Sequence, residues 1–236
     1  MDSLKRLLTS AIPDGMPLPI LSGPLRGRWW LAGAAPGPSK GLSVLINRSE
    51  APQLREAARL AAPGSICFDI GAHAGIYSLL FSRTAGKVFA FEPFPRNLAW
   101  LVRTLARNHA DNVQVVPWAL SGSTGATRFR AGGHNSEGRL DPEGDLAVFA
   151  MTCDGFCAFQ NVKPQVLKID VEGAEADVLR GAAGILAAAK PALLLSTHGD
   201  PVKEECFRIL SDLGYRKPKP LDAANPDDAR EFAFEA

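Results

Sequence analysis

No stretch of this 236-residue chain approaches the roughly 18 consecutive apolar residues that a membrane-spanning helix requires. Charge of one sign is not in excess either. Lys and Arg number 26 against 25 Asp and Glu, a formal net charge of +1, so electrostatics gives no case for nucleic acid or an acidic polymer as the main partner. The opening MDSLKRLLTSAIP lacks the long apolar core of a secretory signal. Its Leu4, Leu7, Leu8 and Ile12 fall on one helical face, which predicts a short helix docked on its own domain rather than resting on a membrane surface. Cysteine is sparse: Cys67, Cys153, Cys157 and Cys206 are scattered, and the CxxxC spacing of the middle pair fits neither a zinc ribbon nor a redox motif. Reduced thiols in a cytoplasmic protein are the simplest account. The GxGxxG of dinucleotide binding is missing as well.

What is present is ordinary globular composition, 46% hydrophobic and 22% charged, in a length that suits one substantial domain. Residues 1–50 are rich in proline and glycine and read as an extension of short strands and turns packed on the core, with Trp29 and Trp30 as anchors. Residues 51–236 read as a single domain. APQLREAARLAA has helical spacing and stops at Pro63-Gly64. Then strand and helix alternate: SICFDI, AGIYSLLFSRTA, KVFAFE, PRNLAWLVRTLARNH, VQVVPWAL, and later PQVLKID, GAEADVLRGAAGILAAA, PALLLST and a helix over 201–213. Nearly all-apolar strands alternating with helices predict an α/β fold, a mostly parallel sheet with helices on both faces. Between the two runs, about 121–160 reads as an insertion of short strands and turns at the edge where substrate pockets form, which draws attention to 131–140.

In such a sheet, ligands bind where loops leave the carboxyl ends of the strands. Three loops qualify. FDIGAHAGIYSLL carries Asp69 ahead of a DxGxxxG loop framed by Gly71 and Gly75, with His73 in the middle. Glycine lets that loop turn and lets a ligand approach its backbone, though a plain strand-to-helix turn has the same signature. Glu92 ends the next strand 17 residues after Gly75, so both loops open onto one edge. A carboxylate there suits two vicinal ribose hydroxyls and repels a 2′-phosphate. Asn97 is an adjacent polar contact or part of the first helical turn. The third loop, KIDVEGAE, delivers Asp170 and Glu172, whose charges are costly unless they meet a cation or donors. Glu175 fits a helix cap.

Taken together, FDIGAHAGIYSLL, VFAFEPFPRN, VPWALSG, LKIDVEGAEADVLRGA and LLLSTHG stand in the order and spacing of FkbM-type methyltransferases, and the chain resembles that family over about 64–236. The resemblance implies a Rossmann-like, seven-stranded class I methyltransferase sheet, mostly parallel with an antiparallel C-terminal hairpin that EFAFEA would complete. It implies S-adenosyl-L-methionine as cofactor, with Asp69, Gly71, Ala72, His73 and Gly75 along its methionine and ribose part. Glu92 and Asn97 would lie at the ribose, Trp118 and Ala119 beside the adenine, and Asp170 near the transferred methyl. His73 stands where the family commonly has asparagine, and STHG lacks a glutamate that many members carry.

The acceptor implied is a hydroxyl of a sugar or secondary metabolite, a small molecule or glycan. Asp170 is the first candidate for the base that takes its proton, with His134 and His198 beside it because imidazole titrates near pH ~6.5. Metal assistance needs more oxygen ligands around Asp170, which Glu172 and Asp154 supply only by a chance of folding, so no metal is expected. Should the chain self-associate, a homodimer is the expected state. Two other classes stay open: a non-catalytic binding module on the same fold, and an NAD-dependent oxidoreductase.

Overall fold

A computed structural model of the chain describes residues 12–35, 41–47, 50–132, 138–225 and 227–235. The N-terminal helix expected before Ile12, and His134, lie outside them. The central sheet takes its strands from both halves of the chain: β3 (Ile66–Ile70), β4 (Lys87–Phe91), β5 (Val113–Val116), β10 (Val166–Ile169), β11 (Ala192–Ser196), β12 (Lys219–Pro220) and β13 (Glu231–Phe234). Their order across the sheet is β12-β13-β11-β10-β3-β4-β5. From β11 to β5 every pairing is parallel, while β13 runs antiparallel to β11. The C-terminal hairpin is a loose one, since β12 meets β13 at just two register pairs.

Strand alternation splits the core in two. Cys67, Val88 and Ala90 face one side, where Leu54 and Ala57 of α1 (Ala51–Leu60), Leu79 and Leu80 of α2 (Ile76–Phe81) and Leu101 of α3 (Pro95–Arg107) cover them. Phe68, Ile70, Phe89 and Phe91 face the other. There Phe156 of α4 (Cys153–Gln160) meets Phe68, Phe89 and Phe91 edge-on or nearly so, with centroids 4.8–5.6 Å apart. Edge-to-face pairs add about 0.5–1.5 kcal/mol each beyond burial, and this cluster fixes the ends of β3 and β4 from which the site loops spring.

Two expected elements break. VQVVPWAL ends as a sheet strand at Val116, because Pro117 offers no N–H to a ladder. The chain crosses to β6 (Ala119–Leu120) in a second, four-stranded sheet ordered β6-β9-β7-β8, with β7 (Gly125–Arg130), β8 (Arg139–Leu140) and β9 (Leu146–Met151). That sheet covers most of the segment read as an insertion, but residues 153–160, expected as strands and turns, form helix α4 packed on the central sheet. The long helix expected over 173–189 divides into α5 (Glu175–Gly181) and α6 (Ala183–Ala188). Gly181 passes so close to the backbone that a Cβ there would stand 2.1 Å from the Ser121 carbonyl oxygen. The Asp154 carboxylate then accepts the N–H groups of Gly184 (2.7 Å) and Ile185 (2.8 Å), satisfying donors exposed by the break.

The proline-rich extension forms a hairpin of β1 (Pro17–Pro19) and β2 (Trp29–Leu31). Trp30 is buried, and Trp29 exchanges backbone hydrogen bonds with the Asn108 amide at 2.7 and 2.8 Å. Both tryptophans pack as anchors. The last helix of the core is α7 (Asp200–Asp212). All four cysteines are free and buried, and among the described residues no helix is long and apolar enough to cross a membrane.

Candidate active site

The carboxyl ends of β3, β4 and β10 surround a cavity of about 270 Å³. Its floor is the loop after β3. Gly71 adopts φ +81°, and a Cβ there would stand 1.8 Å from the Asp170 carbonyl oxygen, so only glycine lets the loops after β3 and β10 lie against each other. Gly71 and Ala72 donate their N–H groups to the Phe91 carbonyl, at 3.0 and 2.9 Å. His73 takes the left-handed conformation at φ +49°. Asparagine and histidine are both enriched there among non-glycine residues, which explains why one can stand for the other. The imidazole Nε2 is buried without a hydrogen-bond partner among the described residues, and burial lowers its pKa. The backbone of His73, not its ring, makes the loop's key contact.

That contact is with Glu92. Its Oε2 accepts the His73 N–H at 2.8 Å and its Oε1 the Phe94 N–H at 2.9 Å, and the Asn97 side chain also bonds to it. The residue is 4% exposed, and burial outweighs those donors, pushing its pKa up to about 7. Both Glu92 and Asn97 line the cavity, as do Gly71, Ala72, His73 and Ala119. Three other expected contacts sit behind the wall. Asp69 is buried and accepts from the Ser78 hydroxyl at 2.5 Å, tying β3 to α2; burial pushes it up to about 6. Gly75 opens α2 at φ +92°. Trp118, half-buried, turns its ring edge-on to Phe149 and Phe156 and does not line the cavity.

Asp170 follows β10 directly and lies on the cavity wall. Its Oδ2 lies 3.1 Å from Lys168 Nζ, which also donates to the Ser196 hydroxyl at 2.5 Å, and Ser196 in turn donates to Glu231. Lys168 is wholly buried; desolvation would lower its pKa, but Asp170 and Glu231 overcome that and raise it to about 12. Reciprocally, desolvation would raise Asp170, yet the Lys168 ammonium and the His198 imidazole hold it below the ordinary carboxylate range. A charged residue inside the apolar strand QVLKI was the available signal for Lys168, since a buried ammonium must find carboxylates.

His198 follows β11. Its Nδ1 lies 2.8 Å from Glu175 Oε1, and its Nε2 lies 3.3 Å from Glu172 Oε2 and 3.8 Å from Asp170 Oδ1. The Glu175 hydrogen bond, helped by the neighbouring carboxylates, overcomes burial and pushes the imidazole up to about 9. Glu175 caps the loop before its helix, accepting the N–H groups of Val171 (3.3 Å) and Gly173 (3.0 Å). Asp154, tied to α6, stands apart from this group. Glu50 and Tyr77, which bond to each other on the wall, and Arg139 of β8, also on the cavity lining, carry no local signal in the sequence. Only the fold brings those distant segments here.

The model of the methyltransferase FkbM domain matches residues 69–217. The chain belongs to the FkbM methyltransferase family. It is 27% identical over 170 residues to the hexuronic acid methyltransferase AglP of Haloferax volcanii, covering 70% of this chain and 69% of that one. The crystal structure of methyltransferase FkbM from Methylobacillus flagellatus KT is similar in fold, with a TM-score of 0.56 at 16% identity. That match covers 83% of this chain and 60% of the other, so the chain spans less than two thirds of that relative's length. An rRNA methylase from Streptococcus thermophilus shares the fold at a TM-score of 0.52 and 13% identity, covering 80% and 95% of the two chains.

Proposed function

We propose that this methyltransferase moves a methyl group from S-adenosyl-L-methionine to a hydroxyl of a sugar or related metabolite. The observation that carries the reading is Glu92: a buried carboxylate on the cavity wall, its oxygens fixed by backbone donors, short of enough donors to stay ionised at its ordinary pKa. Two vicinal ribose hydroxyls are the donors it lacks. Gly71, Ala72 and His73 would lie along the rest of the cofactor, and Asn97 would orient Glu92.

Charge supports the same choice. Glu50, Glu92, Asp170 and Glu172 line the cavity against a single Arg or Lys among the described residues, Arg139. Such a wall favours a cationic ligand and opposes a pyrophosphate, which disfavours the oxidoreductase alternative. When bound, the cofactor supplies its methyl on a sulfonium. Asp170, held ionised by Lys168, is placed to align an acceptor hydroxyl and take its proton as the oxygen becomes an ether. The Glu175 hydrogen bond and the neighbouring carboxylates raise the His198 pKa to about 9, which makes it a poorer base for the acceptor proton than Asp170. The sugar acceptor is carried by the likeness to a hexuronic acid methyltransferase and by nothing more specific.

Calorimetric titration with S-adenosylmethionine and with NAD tests the reading. Binding of the first and not the second is expected, and Glu92→Ala should weaken it by about 1.5–3 kcal/mol. If neither ligand binds at millimolar concentration, the proposal fails.

A further inference from the structure

We propose that Asp170, Glu172 and His198 form a binding site for a divalent first-row transition-metal ion at the edge of the cavity. The proposal deepens the methyl-transfer reading and, as part of a mechanism, rests on it; the site itself is tested independently. One ligand atom from each of the three residues lies within 4.8 Å of the others. Ligands held at usual metal distances by one ion stand about 3.0–3.7 Å apart; Nε2 of His198 is 3.3 Å from Glu172 Oε2, inside that range, and 3.8 Å from Asp170 Oδ1, just beyond it. Charge-assisted hydrogen bonds close to about 2.7–2.9 Å. The imidazole therefore points between two carboxylate oxygens without closing on either, as ligands around a common centre do.

A second feature comes from outside the triad. Glu175, 0% exposed, fixes His198 through Nδ1 and is itself pinned by the Val171 and Gly173 N–H groups. Its Oε2 is buried and has no hydrogen-bond partner among the described residues. A carboxylate that orients an imidazole from its far nitrogen, leaving the near one for a metal, is the usual outer shell of a histidine ligand. Asp170 is likewise oriented from behind, with Lys168 on Oδ2 and Oδ1 turned toward His198. Two oxygens and an imidazole suit Mn²⁺, Fe²⁺ or Zn²⁺ better than Ca²⁺. An ion there would leave positions for an acceptor hydroxyl beside Asp170 and lower the pKa of that hydroxyl.

From the sequence no metal is expected, because the oxygen ligands it offers beside Asp170 are Glu172 and Asp154. The fold removes Asp154 and supplies His198 from the end of another strand.

The experiment is titration of Mn²⁺ into the chelator-stripped full chain, reading the free ion by electron paramagnetic resonance without cofactor or acceptor. One Mn²⁺ per chain is expected, with affinity at least about tenfold weaker in both His198→Ala and Glu172→Gln. Glu172→Gln preserves shape and decides the matter should His198→Ala fail to fold. No uptake by the wild type at millimolar Mn²⁺, as for a cluster bridged by a proton alone, overturns the site. So does uptake that Glu172→Gln leaves unchanged. Cofactor calorimetry in the presence of chelator is scored separately, so loss of one activity does not masquerade as loss of the other.

Discussion

At Glu92, burial and recognition pull against each other, and pH shows the contest. Burial raises this carboxyl to about 7, whereas a carboxylate accepting two ribose hydroxyls must be ionised. Binding below that pH therefore includes the cost of removing a proton. Cofactor affinity should rise as pH goes from about 6 to about 8, with proton release in buffers of different ionisation enthalpy. Glu92→Gln should flatten that rise; an equal slope in wild type and variant would remove Glu92 from ribose recognition. Asp170 is the opposite case, a carboxylate kept ionised by Lys168 and His198. Asp170→Asn should leave cofactor affinity within about twofold while cutting turnover by about 10²–10⁴. Wild-type turnover in that variant would clear Asp170 of proton transfer.

At the scale of elements, the turn between α5 and α6 matters more than its length suggests. It exists because Gly181 admits the Ser121 carbonyl, and Asp154 caps the helix that restarts. The first residue of α5 is Glu175, so the placement of this helix sets the clasp on His198 and the loop after β10. Gly181→Ala meets backbone rather than a yielding side chain and should destabilise by about 1–3 kcal/mol in chemical denaturation. Stability within a few tenths of the wild type would show that the contact relaxes freely. A sequence window sees one long helical pattern across 173–189, because the obstacle to Gly181, residues 121–122, lies about sixty positions away.

Across the whole molecule, acids gather at one end of the sheet. Asp69 is raised to about 6, Glu92 and Glu231 to about 7, each chiefly by burial, and His198 to about 9 chiefly by Glu175. A folded pKa raised above its unfolded value gives stability that is full below the unfolded value and lost as pH climbs through the folded one. For the carboxyls that window runs from about 4 to about 7, and for His198 from about 6.5 to about 9. Asp170, lowered, contributes in the other sense and loses its share only as pH falls below the ordinary carboxylate range. The ligand-free protein should therefore melt several degrees lower at pH 8.5 than at pH 5.5, and a saturating cationic ligand should shrink the difference. A thermal midpoint that is flat or rising across that range would contradict this balance.

The sequence by itself determined the alternation of strands and helices, because apolar runs and capping residues are local. It also determined the three loops at one sheet edge, because spacing along a strand–helix–strand unit leaves them nowhere else to open. Glu92 and Asp170 were legible for that reason, and so were Gly71 and His73 as loop residues. Only the tertiary structure decided that Asp69 and Trp118 stay off the cavity wall, since which face a strand-end side chain takes depends on what packs against it. It alone brought Lys168 beneath Asp170, and Glu50, Tyr77 and Arg139 to one cavity. His198 joins Asp170 and Glu172 from the end of β11, the next strand of the chain but reached only through two helices; that the two strand ends meet side by side is a property of the parallel sheet, and no local pattern encodes it.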